Sequence, residues 1–409
     1  MRSKTTALTA LLVSIILLTA CGSAPSTNPL ANTANVSLSA TPTNLPSPTE
    51  TITPEPQSDS VEQNCVDILP TMPANIAATG IVPLEDFQAQ KTFFLDLATG
   101  DKSQIPNIND GIVAYAVSPD RKTLAYKTHV PSRISLTLTD ALNSHKQTIF
   151  SGQADYALYY WLNNEELLLG KNGQWLIFNP YTNQEKGYST GDFTDYDTYN
   201  QYNLWVGFDP QGILAIYKNK GGNTSLLNVG DKQLLGEVSD AVQRPPVAAW
   251  TLDGNEAAIV GATQVGEHWA EAGDNIFEVG RDGQATQLTY LAEYYGIGFN
   301  IHSLSWSPDS RYIAFWMRLP KTSKWQLAVL DTMRQKVTNY CIPTNPYATT
   351  RPGFRLDLVS APIWSPDSTQ LIIESRSDNS SSIILVDMSQ SIAFQIAQDS
   401  VPLGWMVAP

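Results

Sequence analysis

Histidine and cysteine are scarce in this 409-residue chain, with four of the first and three of the second. His129, His145, His268 and His302 stand at no metal-ligand spacing, so neither a metal nor any other cofactor is expected. No Gly-x-Ser-x-Gly elbow occurs, and glycine-rich phosphate loops are missing; Gly221-Gly222 reads as a strand-to-strand turn. The chain stops at Pro409, so no hydrolase domain is expected after it. No long stretch repeats every 3.6 residues, which argues against a helical fold. Positive charge is also short: 25 Lys and Arg face 39 Asp and Glu, a net −14. Such an excess repels phosphate backbones and anionic headgroups, which excludes nucleic acid as an expected partner.

The opening of the chain carries an apolar run, from about Ala7 to Leu18, behind Arg2 and Lys4. It is too short to span a bilayer comfortably and has the layout of a secretion signal. The run closes on Leu18-Thr19-Ala20-Cys21, which resembles the lipobox of bacterial lipoproteins. The resemblance implies that residues 1–20 are a signal peptide, that Cys21 becomes the acylated first mature residue, and that lipid alone holds the protein to a membrane. Losing Arg2 and Lys4 and no acid would move the charge from −14 to −16. The expected location is the outer side of a cytoplasmic membrane, or the periplasm. Residues 21–60 follow the cysteine with Ser, Thr, Pro, Ala and Asn, as in Pro46-Ser47-Pro48-Thr49-Glu50, and read as a disordered tether. If Cys21 is lipidated, Cys65 and Cys341 are the one possible intrachain disulfide, worth roughly 4 to 5 kcal/mol on a chain-entropy model. Two separate buried thiols are the alternative.

In residues 61–409 one segment recurs. Trp306-Ser307-Pro308-Asp309-Ser310 precedes Arg311-Tyr312-Ile313-Ala314-Phe315, and Trp364-Ser365-Pro366-Asp367-Ser368 precedes Thr369-Gln370-Leu371-Ile372-Ile373. Weaker copies begin at Val117, Trp250, Trp161 and Phe208. Each is an apolar strand, a tight turn preset by proline and Asp, and a second apolar strand. Third and fourth strands follow, as in Gln326–Asp331 and Gln335–Thr338. Four strands per unit at about 40 to 60 residues read as propeller blades. The units resemble the WD-repeat-like units of TolB-type propellers, with Ser310 and Ser368 where that pattern has glycine.

Inner strands fall at Tyr115, Trp161, Val206, Trp250, Trp306 and Trp364, and again at Leu403–Val407. The last has no blade after it, while Ala77–Val82, Phe93–Leu97 and Ser103–Ile105 lack an inner strand. Pairing the two ends closes the ring and removes two exposed edges. An all-β propeller of seven four-stranded blades is expected, with six as the alternative.

The Ser-Pro-Asp face has short connections, whereas the opposite face gathers long ones at about 191–203, 262–274, 291–302 and 341–358. Long loops in a compact domain are commonly functional. They carry aromatics among acids: Asp192, Asp195, Tyr196, Asp197, Tyr199 and Tyr202, then Glu267 and Trp269, then Glu293, Tyr294 and Tyr295, then Phe354. Rings that stack and carboxylates that accept protons suit sugars or peptides; packing of the loops onto the rim is the alternative. The expected ligand-binding set is Asp195, Tyr196, Tyr199, Tyr202, Trp269, Tyr294, Tyr295 and Phe354, with no catalytic residue. The expected protein is a monomeric binding or scaffold module for an envelope protein or polysaccharide. A hydrolytic propeller using Asp195, Glu267 and Glu293 is the runner-up.

Overall fold

A side-chain network two residues wide builds each strong turn. In Trp306-Ser307-Pro308-Asp309-Ser310, the Ser307 hydroxyl donates to Asp309 Oδ1 and accepts the N–H of Tyr312 at 2.8 Å. Asp309 Oδ1 also accepts the N–H of Arg311. The same set is made by Ser118 with Asp120, Thr251 with Asp253, and Ser365 with Asp367. The fourth turn position has positive φ: +62° at Arg121, +56° at Ser310 and +63° at Ser368, where glycine would sit without steric cost. Gly212 and Gly254 hold the equivalent positions in two weaker copies.

The computed structural model describes residues 61–74, 76–86, 91–105, 112–130, 133–142, 146–152, 156–171, 174–189, 206–218, 224–238, 248–264, 272–322, 324–345, 360–377 and 380–407. They form seven antiparallel sheets with four consecutive blade strands each, which settles the count at seven. The inner strands of blades 2 to 7 are Ile112–Val117, Tyr156–Trp161, Val206–Phe208, Ala249–Trp250, Asn300–Trp306 and Ile363–Trp364. Blade 1 takes its inner strand, Ser400–Pro402, from the far end of the chain and pairs it with Ile81–Asp86. Lys91–Asp96 and Lys102–Gln104 complete that blade.

Two boundaries differ from expectation. The first strand of blade 1 begins at Ile81, because Gly80 turns at φ +112° against the Trp405 indole, where no Cβ fits. The closing strand ends at Pro402, and beyond it only Met406 bridges back to Ile81.

The core is seven interblade layers rather than one centre. Along Tyr312–Arg318 of blade 6, Ile313, Phe315 and Met317 pack against blade 5, while Ala314 and Trp316 pack against blade 7. Strands buried on both faces read as continuous apolar runs, which is why Ile-Ala-Phe-Trp-Met shows no polar alternation. A layer also lies between blades 7 and 1 and another between 1 and 2, so closure is as well packed as the other joints.

Indole donors pin neighbouring inner strands. Nε1 of Trp161, Trp250 and Trp364 donates to the carbonyls of Ala116, Gly207 and Ser305, each one blade back, at 3.1, 3.1 and 2.9 Å. Trp306 is placed to do the same, yet its buried Nε1 has no partner. Blade 1 has no turn after its inner strand; Arg121 of blade 2 donates to the Trp364 carbonyl of blade 7, and its own carbonyl accepts the N–H of Val407. Burial lowers the Arg121 pKa to about 10, against an opposing pull from Asp367.

A strap precedes blade 1. Glu62–Gln63 pairs in parallel with the outer strand of blade 6, Lys336–Thr344, and Ile68–Leu69 pairs likewise with that of blade 7, Ile392–Gln398. Between the two pairings Cys65 is bonded to Cys341, with Cα atoms 4.8 Å apart. The disulfide therefore clamps the strap to an outer strand; Cys341 lies in that strand, at φ +59°, and not in a loop.

Candidate functional site

Antiparallel blades put the connections between second and third strands, and the crossings between blades, at one end of the ring. The long connections are at that end, but three are shorter than expected because the strands extend into them. Those strands run to Gln264, from Ala272 and to Thr344, and Asp274 is thereby in a strand. Of the predicted ligand-binding residues, Tyr294 and Tyr295 are described; Asp195, Tyr196, Tyr199, Tyr202, Trp269 and Phe354 lie outside the described residues, as do Cys21 and Glu267.

Tyr294 and Tyr295 end a five-residue helix, Leu291–Tyr295, in the crossing from blade 5 to blade 6. Asn275 fixes the crossing: its Oδ1 accepts the N–H of Ala292 at 3.1 Å, and its Nδ2 donates to Thr263 and to Glu293 Oε2, both at 2.9 Å. Asp274 secures the far side by accepting the N–H of Ile301 at 2.8 Å. The two tyrosines then part company. Tyr295 stacks on the fully buried Phe299 with ring centroids 4.8 Å apart, which makes it rim packing. Its hydroxyl approaches Gln63 of the strap without a hydrogen bond of good geometry, and burial raises its pKa. Tyr294 stands edge-on to Tyr295 and is 55% exposed, with Ile297 beside it at 51%.

A second group at the same end escaped sequence reasoning. Around Tyr115 of blade 2 gather Glu374 and Arg376 of blade 7 and Glu85 of blade 1. Arg376 Nη2 donates to Glu374 Oε2 at 2.7 Å, Glu374 Oε1 accepts the Ser381 hydroxyl at 3.0 Å, and Tyr115 hydrogen-bonds the Ser360 side chain. Glu374, Arg376 and Glu85 are all buried. The Tyr115 ring is partly exposed but its hydroxyl is enclosed. Burial first, then the two carboxylates, push its pKa up to about 12, so it acts as a neutral donor. Arg376 Nε is buried without a partner, leaving one strong donor open to an acceptor such as water or a ligand oxygen. The contributing residues come from three blades far apart in sequence, which no motif could have signalled.

Among the described residues no three or more His, Cys, Asp and Glu side chains converge as a metal site. No helix among them is long and apolar enough to cross a membrane. Other exposed large apolar side chains, Leu142, Tyr181, Ile213, Leu234, Leu252 and Met333, are dispersed over blades 2 to 6 in or beside short turns. Such scattering is ordinary for a soluble surface.

A functionally unknown protein from Desulfotomaculum acetoxidans is similar in structure, with 12% identity, a TM-score of 0.50, and coverage of 81% of this chain and 100% of that one. TolB from Acinetobacter baumannii is 15% identical over 82% of this chain and 69% of its own, with a TM-score of 0.43. Oligogalacturonate lyase from Vibrio parahaemolyticus is 11% identical over 78% and 86%, with a TM-score of 0.44. What the chain shares at such identity is the fold. No protein-family model matches the chain, and no curated protein does.

Proposed function

We propose that this is a lipid-anchored extracytoplasmic binding protein, a monomeric propeller on a tether that recognises an envelope protein or polysaccharide through its long-loop face. The observation that carries the reading is Tyr294, an exposed ring on a crossing held rigid by Asn275, Asp274 and the Tyr295–Phe299 stack. A preordered aromatic loses little entropy on binding, which is what a recognition surface needs. Acylated Cys21 provides the membrane attachment, and metabolic labelling with an alkyne fatty acid checks it: label is expected in the intact protein and absent from Cys21→Ala.

Binding is tested by crosslinking in native membranes, comparing the intact protein with a folded Tyr196→Ala, Trp269→Ala, Tyr294→Ala variant. Capture of one protein or polymer by the first, lost in the second, is the expected result. Equal capture by both would move the site off this face. Hydrolysis through Asp195, Glu267 and Glu293 is the competing reading. Glu293 already accepts hydrogen bonds from Asn275 and Gln287, which gives it a positioning role in the crossing. Under hydrolysis one acid substitution should abolish turnover while ligand still binds; under binding, single substitutions should weaken affinity gradually.

A further inference from the structure

The strap walls a cavity of about 360 Å³ in the groove between blades 7 and 1. Pro70 and Met72 line one side, just past the pairing of Ile68–Leu69 with Ala393–Phe394; Leu97 of blade 1 and Ile396 of blade 7 line the others. The floor is apolar: Leu97 is buried, and Met72 and Ile396 pack half-buried onto the layer between the two blades. The volume suits one large side chain and lies at the small end of ligand cavities. The rim is acidic. Asp96 lines the cavity with its carboxylate held by the N–H groups of Ala98 and Thr99, and Asp101 follows the lining residue Gly100. Asp67 lies three residues before Pro70 on the strap, and Lys102 is the single cation among the lining residues.

We propose that this groove docks a partner segment bearing one large apolar side chain between Lys or Arg residues. The apolar floor desolvates the anchor, as binding hot spots require, and three carboxylates against one ammonium favour a basic flank. The strap makes the site: without the Cys65–Cys341 bond and the two parallel pairings, one wall is lost. This docking is separate from recognition at the long-loop face, and neither depends on the other.

The experiment is fluorescence anisotropy of labelled Lys-Lys-Leu-Phe-Lys-Lys titrated with the full-length protein, beside Glu-Glu-Leu-Phe-Glu-Glu and Lys-Lys-Gly-Ser-Lys-Lys. Saturable binding of the first peptide alone is expected. Ile396→Asp should weaken it at least tenfold, and Cys65→Ser with Cys341→Ser should weaken it as well. Because Ile396 is half-buried, the exposed pair Asp67→Lys with Asp101→Lys serves as a second test that leaves the core untouched, with at least a threefold loss expected. Equal binding of the three peptides, no saturable binding of the first, or binding that Ile396→Asp and the charge pair both leave unchanged would overturn the proposal.

Discussion

Ser368 Oγ accepts the backbone N–H of Asp309 at 3.1 Å, joining the turn of blade 7 to the turn of blade 6. Ser368 and Ser310 occupy equivalent left-handed positions, at φ +63° and +56°, but only Ser368 has this interblade role among the hydrogen bonds of the described residues. Their substitutions by glycine should therefore diverge. Ser310→Gly removes backbone strain and should raise stability by about 0.5 to 1 kcal/mol, net of the entropy glycine adds to the unfolded chain. Ser368→Gly gains the same relief but loses a hydrogen bond of about 1 kcal/mol, so it should be neutral or destabilising. Urea unfolding of the two variants measures the difference.

The indoles give a second contrast. Trp364→Phe leaves the Ser305 carbonyl without its Nε1 donor in a buried joint and should cost about 1 to 3 kcal/mol. Trp306→Phe removes a buried donor that has no partner and should be close to neutral. Similar losses for the two would contradict the assignment of Trp364 as a pin between blades. Thermal unfolding of both is sufficient.

Stability should also fall as pH rises through neutrality. In blade 5, Glu278 lies one register pair along from Glu256; burial first and then that neighbour raise its pKa to about 7. A carboxyl whose folded pKa exceeds its unfolded value, near 4.5, binds extra protons in the native state. Its stabilising contribution is complete below that unfolded value and is lost as pH rises through about 7. Asp253, Asp331, Asp367 and Asp387 have lowered pKa values and act with the opposite sign, at acid pH below this window. Urea midpoints at pH 5 and pH 8 should show the fall in the intact protein and a smaller one in Glu278→Gln. An equal slope in both would place the titrating group elsewhere.

The blades were legible because the Ser-Pro-Asp turn is local chemistry: a hydroxyl, a carboxylate and three N–H groups within six residues. Ring closure was legible because the inner and outer strands had to be matched in number. The strap was not, since Glu62–Gln63 and Ile68–Leu69 are two-residue pairings with no alternation to read. The crossing helix was missed because five residues cannot display a 3.6-residue period. Aromatic composition marked Tyr294 and Tyr295 alike, yet only packing against Phe299 separates the buried ring from the exposed one. The Tyr115–Glu374–Arg376 group depends on contacts between distant blades, which spacing along the chain does not encode.

Which end of the propeller meets its ligand is the central claim, and steric blocking tests it directly. Tyr294→Cys and Leu252→Cys each put one reactive thiol on an exposed position, the first at the long-loop end and the second in a short turn of blade 5. After coupling to a polyethylene glycol maleimide, capture of the envelope ligand is compared with the unmodified proteins. The account predicts that the bulky group at Cys-substituted position 294 abolishes capture while the same group at position 252 leaves it intact. The reverse pattern would assign recognition to the Ser-Pro-Asp face and contradict the account.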